Sequence, residues 1–118
     1  MFLGLIIRPP RSNYGEDTGQ VTPIPQLGAS INNFEIKNSN GEKLKCTFTS
    51  VDAAAGPRPC VVYMHGNAGN KMEGLQHIQD LLPLGIDLCT FDFSGCGNSE
   101  GEYVTLGWKE VKDLHAVL

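Results

Sequence analysis

The sequence predicts an α/β fold in which an antiparallel hairpin precedes a strand–helix–strand–helix unit of a mostly parallel sheet. Apolar and polar residues alternate around an Asn40-Gly41 pair, which is typical of a β-hairpin. Farther along, two continuous apolar runs alternate with two stretches of apolar residues at helical spacing, as in a βαβ unit. With 118 residues, 41% of them hydrophobic, the chain is long enough for one such domain.

Residues 1–30 are predicted to be an irregular N-terminal segment, and residues 31–118 the α/β domain. Prolines and glycines recur in the first segment, and neither the period of a strand nor that of a helix persists there. One apolar run extends from Phe2 to Ile7 and is too short to span a bilayer. We expect this run to pack on the protein, with weak peripheral membrane contact as the alternative.

The predicted hairpin covers residues 31–50. Its first strand contains Ile31, Phe34 and Ile36, and an Asn- and Gly-rich turn follows at residues 38–41. The second strand alternates three apolar residues with lysines and threonines. One face of that strand is therefore expected to be buried and the other to be polar and solvated.

The βαβ unit begins with the apolar run of residues 60–64, which predicts a strand buried on both faces. Apolar residues at helical spacing predict a helix over residues 72–82, with Asn70 as its N-cap and Pro83 and Gly85 at its end. Residues 86–93 are predicted to form the next strand, parallel to the first.

A glycine-rich loop of residues 94–101 precedes the last predicted helix, for which Thr105 is the candidate N-cap. The apolar stripe of that helix still continues at Leu118, and no C-cap residue follows it. Strands buried on both faces also need more cover than one hairpin and two helices provide. We therefore expect the chain to be the N-terminal part of a larger α/β fold.

Charge and cysteine spacing exclude several classes of function. The net charge is -4, and lysines and arginines do not cluster, so nucleic acid is not an expected partner. The four cysteines contain no C-x-x-C pair, and no metal or cofactor is expected. Without a signal peptide pattern, a reduced cytoplasmic protein is predicted.

The candidate chemistry lies at residues 65–69, between a predicted strand and a predicted helix. His65, Gly66, Asn67, Ala68 and Gly69 are mostly small, so a ligand could approach the backbone closely. Free N–H groups at such a position can stabilise an anion, as in the oxyanion hole of acyl-transfer enzymes. A plain strand–helix turn is the alternative.

A family resemblance makes this pattern more specific. Residues 61–70 resemble the oxyanion-hole turn of α/β-hydrolases of the serine aminopeptidase-like (S33-like), lysophospholipase-like group. Residues 91–101 resemble the D-x-x-G-x-G-x-S loop that follows the next strand in that group. Residues 7–11 and 106–108 resemble flanking segments of plant and protist members, so the resemblance covers nearly the whole chain in the family's order.

The resemblance implies the N-terminal part of an α/β-hydrolase fold. It implies a serine hydrolase that cleaves an ester, thioester or amide in a small-molecule or lipid-like acyl substrate, without a cofactor. Asn67 would offer its backbone N–H to the oxyanion, and Gly66 and Ala68 would shape the turn. The family motifs give structural roles to the remaining matching residues: His65, Gly69, Asp92, Gly95, Gly97 and Ser99.

The catalytic triad has no counterpart in these residues. The family nucleophile lies in G-x-S-x-G after the next strand, and the acid and base follow later. No catalytic residue of the triad is therefore assigned, and the 118 residues alone are expected to be inactive. The alternative is a non-catalytic, truncated hydrolase-like protein that acts as a binding module or is vestigial.

One serine imitates the nucleophile motif. Residues 97–101 read G-x-S-x-G, but Ser99 lies in the middle of a loop rather than on a sharp strand-to-helix turn. Ser99 is therefore expected to be a loop serine, and Asp92 to bind backbone N–H groups of that loop. His77 and His115 are expected at solvated or edge positions rather than in a triad.

Two further interpretations concern the glycines and the cysteines. Glycines 95, 97 and 101 approach a dinucleotide-binding fingerprint, but their spacing is wrong by one residue and the helix begins late.

Cys60 and Cys89 are expected to be inert core thiols. Cys96, in the glycine-rich loop, is expected to be the most reactive cysteine.

Overall fold

A computed structural model of the chain describes residues 10–15, 21–24, 27–51 and 56–118. Within these residues, five strands form one mixed sheet in the order β1-β2-β3-β5-β4. The strands are β1 (Val21–Ile24), β2 (Ala29–Lys37), β3 (Lys43–Val51), β4 (Cys60–Met64) and β5 (Asp87–Phe91). The predicted α/β architecture of a hairpin followed by a βαβ unit is confirmed.

Strand β1 corrects the expectation that residues 1–30 are irregular throughout. It pairs antiparallel with β2, with Val21 opposite Asn32, at the edge of the sheet. The strand contains Pro23, which lacks an N–H group and is tolerated on an edge strand. The sequence pattern did not predict this strand, because the prolines interrupt the run of strand-forming residues. The apolar run from Phe2 to Ile7 lies outside the described residues.

The predicted hairpin is confirmed as the antiparallel pair β2–β3, with Phe34 opposite Cys46. Asn38 closes its turn through the side chain, because Asn38 Oδ1 accepts hydrogen bonds from the N–H groups of Asn40 and Glu42, both at 2.9 Å. Gly41 has φ +76°, a conformation that glycine adopts without steric cost. The turn chemistry therefore fixes the register of the two strands.

The predicted βαβ unit is confirmed as well, because β4 and β5 are parallel and β5 lies between β3 and β4. Burial of β5 is complete along its length, whereas β4 lies at the edge of the sheet. Val61 is 39% exposed and Met64 51% exposed, so the prediction that this strand is buried on both faces was wrong. Among the described strands, β4 pairs with β5 alone.

The connection between β4 and β5 is mainly 3₁₀ helix rather than the predicted single α-helix. Residues Lys71–His77 and Leu82–Leu84 are 3₁₀ helices, and α1 comprises only Ile78–Leu81. The predicted N-cap is confirmed, since Asn70 Oδ1 accepts a hydrogen bond from Met72 N at 2.9 Å. Gly85, with φ +79°, ends the connection as predicted.

The last helix, α2, comprises Trp108–Val117 and begins later than the sequence suggested. Gly107 occupies the N-cap position instead of Thr105. Thr105 still contributes, because its Oγ1 accepts a hydrogen bond from Lys109 N at 2.7 Å. Glu110 completes the cap by accepting from the N–H groups of Thr105 and Gly107, both at 2.9 Å. None of the described helices has the length and hydropathy to cross a bilayer.

The sheet carries a hydrophobic core on each face. The core under α2 is formed by Leu44, Cys46, Phe91, Phe93, Cys96 and Val104, and the opposite core by Ala29, Ile78, Leu82 and Leu88. The expectation of a solvated polar face on β3 was therefore wrong: Thr47 and Thr49 are buried. Lys71 Nζ donates to Thr47 Oγ1 at 2.6 Å, which satisfies one of these buried hydroxyl groups.

Helix α2 is fixed to the sheet by a buried carboxylate. Asp113 is completely buried, and its oxygens accept hydrogen bonds from Asn38 Nδ2 at 2.9 Å and Ser94 N at 2.8 Å. One side chain thus connects the helix, the hairpin turn and the loop after β5.

Replacement of Asp113 by alanine is expected to lower the free energy of unfolding by about 2 kcal/mol, because two buried donors lose their acceptor. Urea denaturation of the 118-residue chain measures this change. His115→Ala, on the exposed side of the same helix, is the control and should have little effect. Equal stability of the two variants would contradict the anchoring role of Asp113.

Candidate active site

The candidate site is a turn of residues 65–69 at the carboxyl end of β4. Gly69 N donates to Gly66 O at 2.9 Å, which closes a four-residue turn with Asn67 and Ala68 in its central positions. Ala68 has φ +59°, a left-handed conformation that costs a non-glycine residue about 1–2 kcal/mol. Asn67 is exposed, and its backbone N–H makes no hydrogen bond to any described residue.

The entrance to this turn is fixed by His65, which is buried. Its Nε2 accepts a hydrogen bond from Phe93 N at 3.1 Å, and its Nδ1 lies 2.7 Å from Gly66 O. These contacts fit a neutral ring that carries its proton on Nδ1. The His65 ring also packs edge-on against Phe93, with centroids 5.1 Å apart. The ring therefore joins the turn, which it contacts through Nδ1, to the loop after β5, which it contacts through Nε2.

The exit from the turn is fixed by Asp92, whose side chain is completely buried. Oδ1 of Asp92 accepts from Lys71 N at 2.6 Å, and Oδ2 accepts from Asn98 N at 2.9 Å and from the Tyr14 hydroxyl group. One carboxylate therefore connects the start of the 3₁₀ helix with the loop of residues 92–101, here called the glycine loop.

Ser99 is an integral part of the glycine loop. Its Oγ donates to Asp92 O at 2.8 Å and accepts from Lys45 N at 2.8 Å, and the residue is almost completely buried. A nucleophilic serine needs an accessible hydroxyl group beside a general base. The Ser99 hydroxyl is instead committed, as donor and as acceptor, to backbone groups of two segments.

Two glycines of this loop are required by close contacts as well as by backbone conformation. A Cβ atom on Gly97 (φ +49°) would lie 2.4 Å from the Asp92 carboxylate. A Cβ atom on Gly95 (φ +82°) would lie 2.7 Å from Tyr103 O. The loop therefore wraps Asp92 so tightly that the backbone itself forms the wall around the carboxylate. Gly69, in the 65–69 turn, is confined as well, since its Cβ would collide with the Glu73 carboxylate.

A cavity of about 240 Å³ opens between the 65–69 turn and the start of α2. Its walls are mostly apolar, with polar backbone at the turn, and its lining residues are His65, Gly66, Asn67, Phe93, Cys96, Val104, Leu106, Gly107 and Glu110. Leu106 has φ +54°. Within the described ranges, Ala68 and Leu106 are the non-glycine residues with positive φ; Leu106 lines the cavity, and Ala68 follows the lining residue Asn67. Backbone strain of this kind clusters at functional sites.

Glu110 also lines the cavity. Burial raises the pKa of Glu110, but hydrogen bonds from Thr105 and Gly107 outweigh burial and leave the pKa below its ordinary value. Glu110 is thus ionised at neutral pH, and both of its oxygens are engaged in capping α2.

The other histidines lie away from the cavity. The His77 ring packs on Tyr63 with centroids 5.5 Å apart, and His115 is exposed on α2. No group of three or more metal-ligating side chains occurs in the part of the chain that the structure describes.

The cysteines are distributed differently from the prediction. Cys96 is buried in the wall of the cavity, and burial raises its pKa to about 11, so it is not the reactive thiol expected from the sequence. Cys60, expected in the core, is exposed because β4 lies at the sheet edge. Burial, assisted by the charge of Asp87, raises the pKa of Cys60 above its ordinary value. Burial raises the pKa of Cys89 to about 11.

No family model matches the sequence. Similar solved structures include three crystal forms of the Pyrococcus furiosus esterase Pf2001. The P212121 form is 30% identical to this chain, with a TM-score of 0.68; the alignment covers 94% of this chain and 39% of the esterase chain. The P21 form is 25% identical, with a TM-score of 0.68, over 93% of this chain and 40% of the esterase chain. The C2221 form is 23% identical, with a TM-score of 0.66, over 95% of this chain and 39% of the esterase chain.

The chain has the fold of part of an α/β-hydrolase. This confirms the fold class that the sequence predicted, and the chain spans about 40% of the length of the esterase structures. The finer assignment to the serine aminopeptidase-like group has no matching family model and stays a prediction.

The structure adds residues to the site that sequence patterns did not indicate. Arg11 and Tyr14 belong to a segment without periodicity, yet both bind the glycine loop. Asn98 donates its backbone N–H to Asp92, and Glu73 accepts from Gly66 N at 3.2 Å. The only sequence feature that pointed to these contacts was the family-like spacing of Asp92 and the glycines. That spacing indicates that the loop needs hydrogen-bond partners, but it does not indicate which residues supply them.

Gly97→Ala is expected to destabilise the chain strongly, because the new methyl group would collide with the buried Asp92 carboxylate. Gly28→Ala is a matched control: Gly28 also has positive φ (+60°), but a Cβ there has no neighbour within 4 Å. The control should cost about 1 kcal/mol, and Gly97→Ala about 2 kcal/mol more, in urea denaturation. Equal losses would show that the carboxylate does not enforce glycine at position 97.

Iodoacetamide at about pH 8 is expected to modify Cys60 first, because thiolates react and a buried thiol with a raised pKa supplies few of them. The pKa values of Cys60, Cys89 and Cys96 are all raised, so labelling of these three thiols should accelerate as the pH increases and the thiolate fraction grows. Peptide mass spectrometry measures the rates, and the urea-unfolded chain is the control, in which the differences should disappear. Labelling of Cys96 as fast as that of Cys60 would contradict the burial of Cys96.

Proposed function

We propose that this chain is the segment of an α/β-hydrolase-type serine hydrolase that supplies the oxyanion-binding turn for cleavage of an ester, thioester or amide. One observation carries the proposal. Asn67, an exposed residue whose backbone N–H has no partner among the described residues, lines a mostly apolar cavity, in a fold shared with an esterase. The resemblance of the sequence to the serine aminopeptidase-like, lysophospholipase-like group supports the same function.

The chemistry needs a fixed donor where negative charge develops. Attack on a carbonyl group moves charge to its oxygen, and a pre-oriented N–H group about 2.7–3.1 Å away stabilises that charge. The 65–69 turn is held at both ends by buried hydrogen bonds, so its donor requires little reorganisation. Gly66 lines the cavity without a side chain, and this leaves space for the substrate beside the Asn67 N–H.

The nucleophile, acid and base are proposed to lie outside these 118 residues. The Ser99 hydroxyl is buried and bonded, and both ring nitrogens of His65 contact the backbone. Without the nucleophile and the base, oxyanion donors can assist only the slow direct attack of water on the substrate. These residues alone are therefore proposed to be inactive, and the function belongs to a protein that carries them together with a triad.

The substrate is proposed to be a small-molecule or lipid-like acyl compound, because the cavity beside the turn is mostly apolar. No cofactor takes part in the proposed reaction. A cytoplasmic location, and weak peripheral membrane contact through the run from Phe2 to Ile7, are proposals that rest on the sequence.

A fluorophosphonate probe for serine hydrolases is expected not to label the 118-residue chain, because the only serine in a nucleophile-like motif, Ser99, is buried and bonded. Gel fluorescence after probe treatment measures labelling, and Ser99→Ala should give the same blank result. Labelling that disappears in Ser99→Ala would overturn the assignment of Ser99 to the loop.

The oxyanion role of Asn67 is tested by Asn67→Pro, which removes the N–H group and keeps a residue suited to the second position of a turn. Asn67→Ala, which keeps the N–H group, is the matched control. In the protein that combines this segment with a triad, Asn67→Pro should lower kcat by about 10²–10³-fold, and Asn67→Ala should not.

The protein for that assay is the endogenous product, which is isolated by pull-down with an antibody to residues 11–30. A mass well above that of these 118 residues would show that the product includes further chain, in which the triad is then sought. Circular dichroism of both variants verifies folding. Unchanged kcat in a folded Asn67→Pro variant would overturn the proposed oxyanion role.

A further inference from the structure

Residues 10–15, here called the strap, cross the glycine loop far from their own position in the sequence. The Arg11 guanidinium donates to Gly97 O at 3.2 Å, to Ser99 O at 2.5 Å and to Gly101 O. A single side chain therefore binds three carbonyl groups of an irregular segment. Charge-assisted hydrogen bonds of this kind are stronger than those between neutral groups.

The glycine loop has a physical need for such a partner. Gly95, Gly97 and Gly101 all have positive φ, and a segment rich in glycine loses much conformational freedom when it becomes ordered. Hydrogen bonds from outside the loop offset that loss. Arg11 supplies three of them, and Lys45 N of strand β3 supplies another to Ser99 Oγ.

Tyr14 connects the strap with the helix start that follows the 65–69 turn. Its hydroxyl group donates to Asp92 Oδ2, and Asp92 Oδ1 accepts from Lys71 N at 2.6 Å. Asn98 Nδ2 donates to Tyr14 O at 3.2 Å, which ties the strap backbone to the same loop. A shift of Tyr14 would thus reach Lys71 through one carboxylate.

Ser12 binds the exit of the turn directly. Asn70 Nδ2 donates to Ser12 O at 2.8 Å and to Ser12 Oγ at 3.2 Å, while Asn70 Oδ1 caps the 3₁₀ helix through Met72 N. Asn70 follows the turn without an intervening residue. The strap therefore contacts the N-cap residue that sets where the chain leaves the turn.

We propose that the strap positions the oxyanion turn, with Arg11 and Tyr14 as its positioning residues; the catalytic part of this inference rests on the proposed function. The entrance of the turn is attached to Phe93 through His65, and its exit to Asp92 through Lys71. Both attachments lead to the glycine loop, which the strap holds. The strap thereby sets the direction of the Asn67 N–H relative to the cavity.

Hydrogen exchange of the 118-residue chain tests the coupling, read at the amides of Lys71 and Asn98, which both bind Asp92. Arg11→Gln should accelerate exchange at both amides by about tenfold, with the β2–β3 hairpin unchanged, since local opening affects only the released unit. Tyr14→Phe, a milder change, should accelerate Lys71 exchange in the same direction. Unchanged exchange at both amides would overturn the proposal.

Arg58→Gln is the matched control for a general loss of stability. Arg58 pairs with Asp87 at 3.2 Å, near the opposite end of β4 from the turn. This variant should accelerate exchange throughout the sheet without a preference for Lys71 and Asn98. The same uniform pattern in Arg11→Gln would show that Arg11 serves overall stability only, and would overturn its positioning role.

Kinetics of the protein that carries the triad tests the consequence for catalysis. Arg11→Gln should lower kcat about tenfold and leave KM within about twofold, as expected when a donor is misaligned in the transition state. Accelerated exchange with unchanged kcat would overturn the positioning role. Absence of hydrolysis in the unmodified protein would instead remove the proposed function, and exchange alone would then decide whether the strap holds the turn.

Discussion

The carboxylate of Asp92 is completely buried, and a buried charge is stable only where hydrogen-bond donors surround it. Three separate segments supply those donors: Lys71 N after the 65–69 turn, Asn98 N in the glycine loop, and the Tyr14 hydroxyl group in the strap. The charge must be satisfied, so these segments have to meet at one point. The geometry of the candidate site follows from that requirement.

The sheet determines where this meeting point lies. Because β4 and β5 are parallel, their carboxyl ends share one edge of the sheet, and the turn after β4 faces the loop after β5. Ligand sites of open α/β sheets typically occupy this edge. Strand β5 is buried along its length. The turn after β4, the glycine loop and the start of α2 meet beyond its carboxyl end, and residues of all three line the cavity.

The likeness to the Pyrococcus furiosus esterase and the geometry of the turn support the same kind of chemistry from independent directions. The esterase structures establish the fold, over about 40% of their own length. The turn offers an oriented N–H group beside an apolar cavity, which is the part of acyl-transfer chemistry that backbone alone can provide. In the described residues, Ser99 and His65 are engaged in holding the loop and the turn, so we propose that the nucleophile and the base belong to another part of the protein.

The sequence by itself determined the elements whose signal is local: the hairpin at Asn40-Gly41, the order of β4 and β5, the Asn70 cap and the glycine loop around Asp92. It did not determine which of the residues are buried or which distant residues contact one another. Cys60 and Cys96 exchanged their expected environments, Thr47 and Thr49 proved to be buried, and strand β1 and the contacts of Arg11 were not foreseen. Periodicity reports which face of an element is apolar, whereas burial depends on which other elements cover that face. Only the tertiary structure brings Arg11 to carbonyl groups 86 and more residues away, because no local pattern encodes a contact between distant segments.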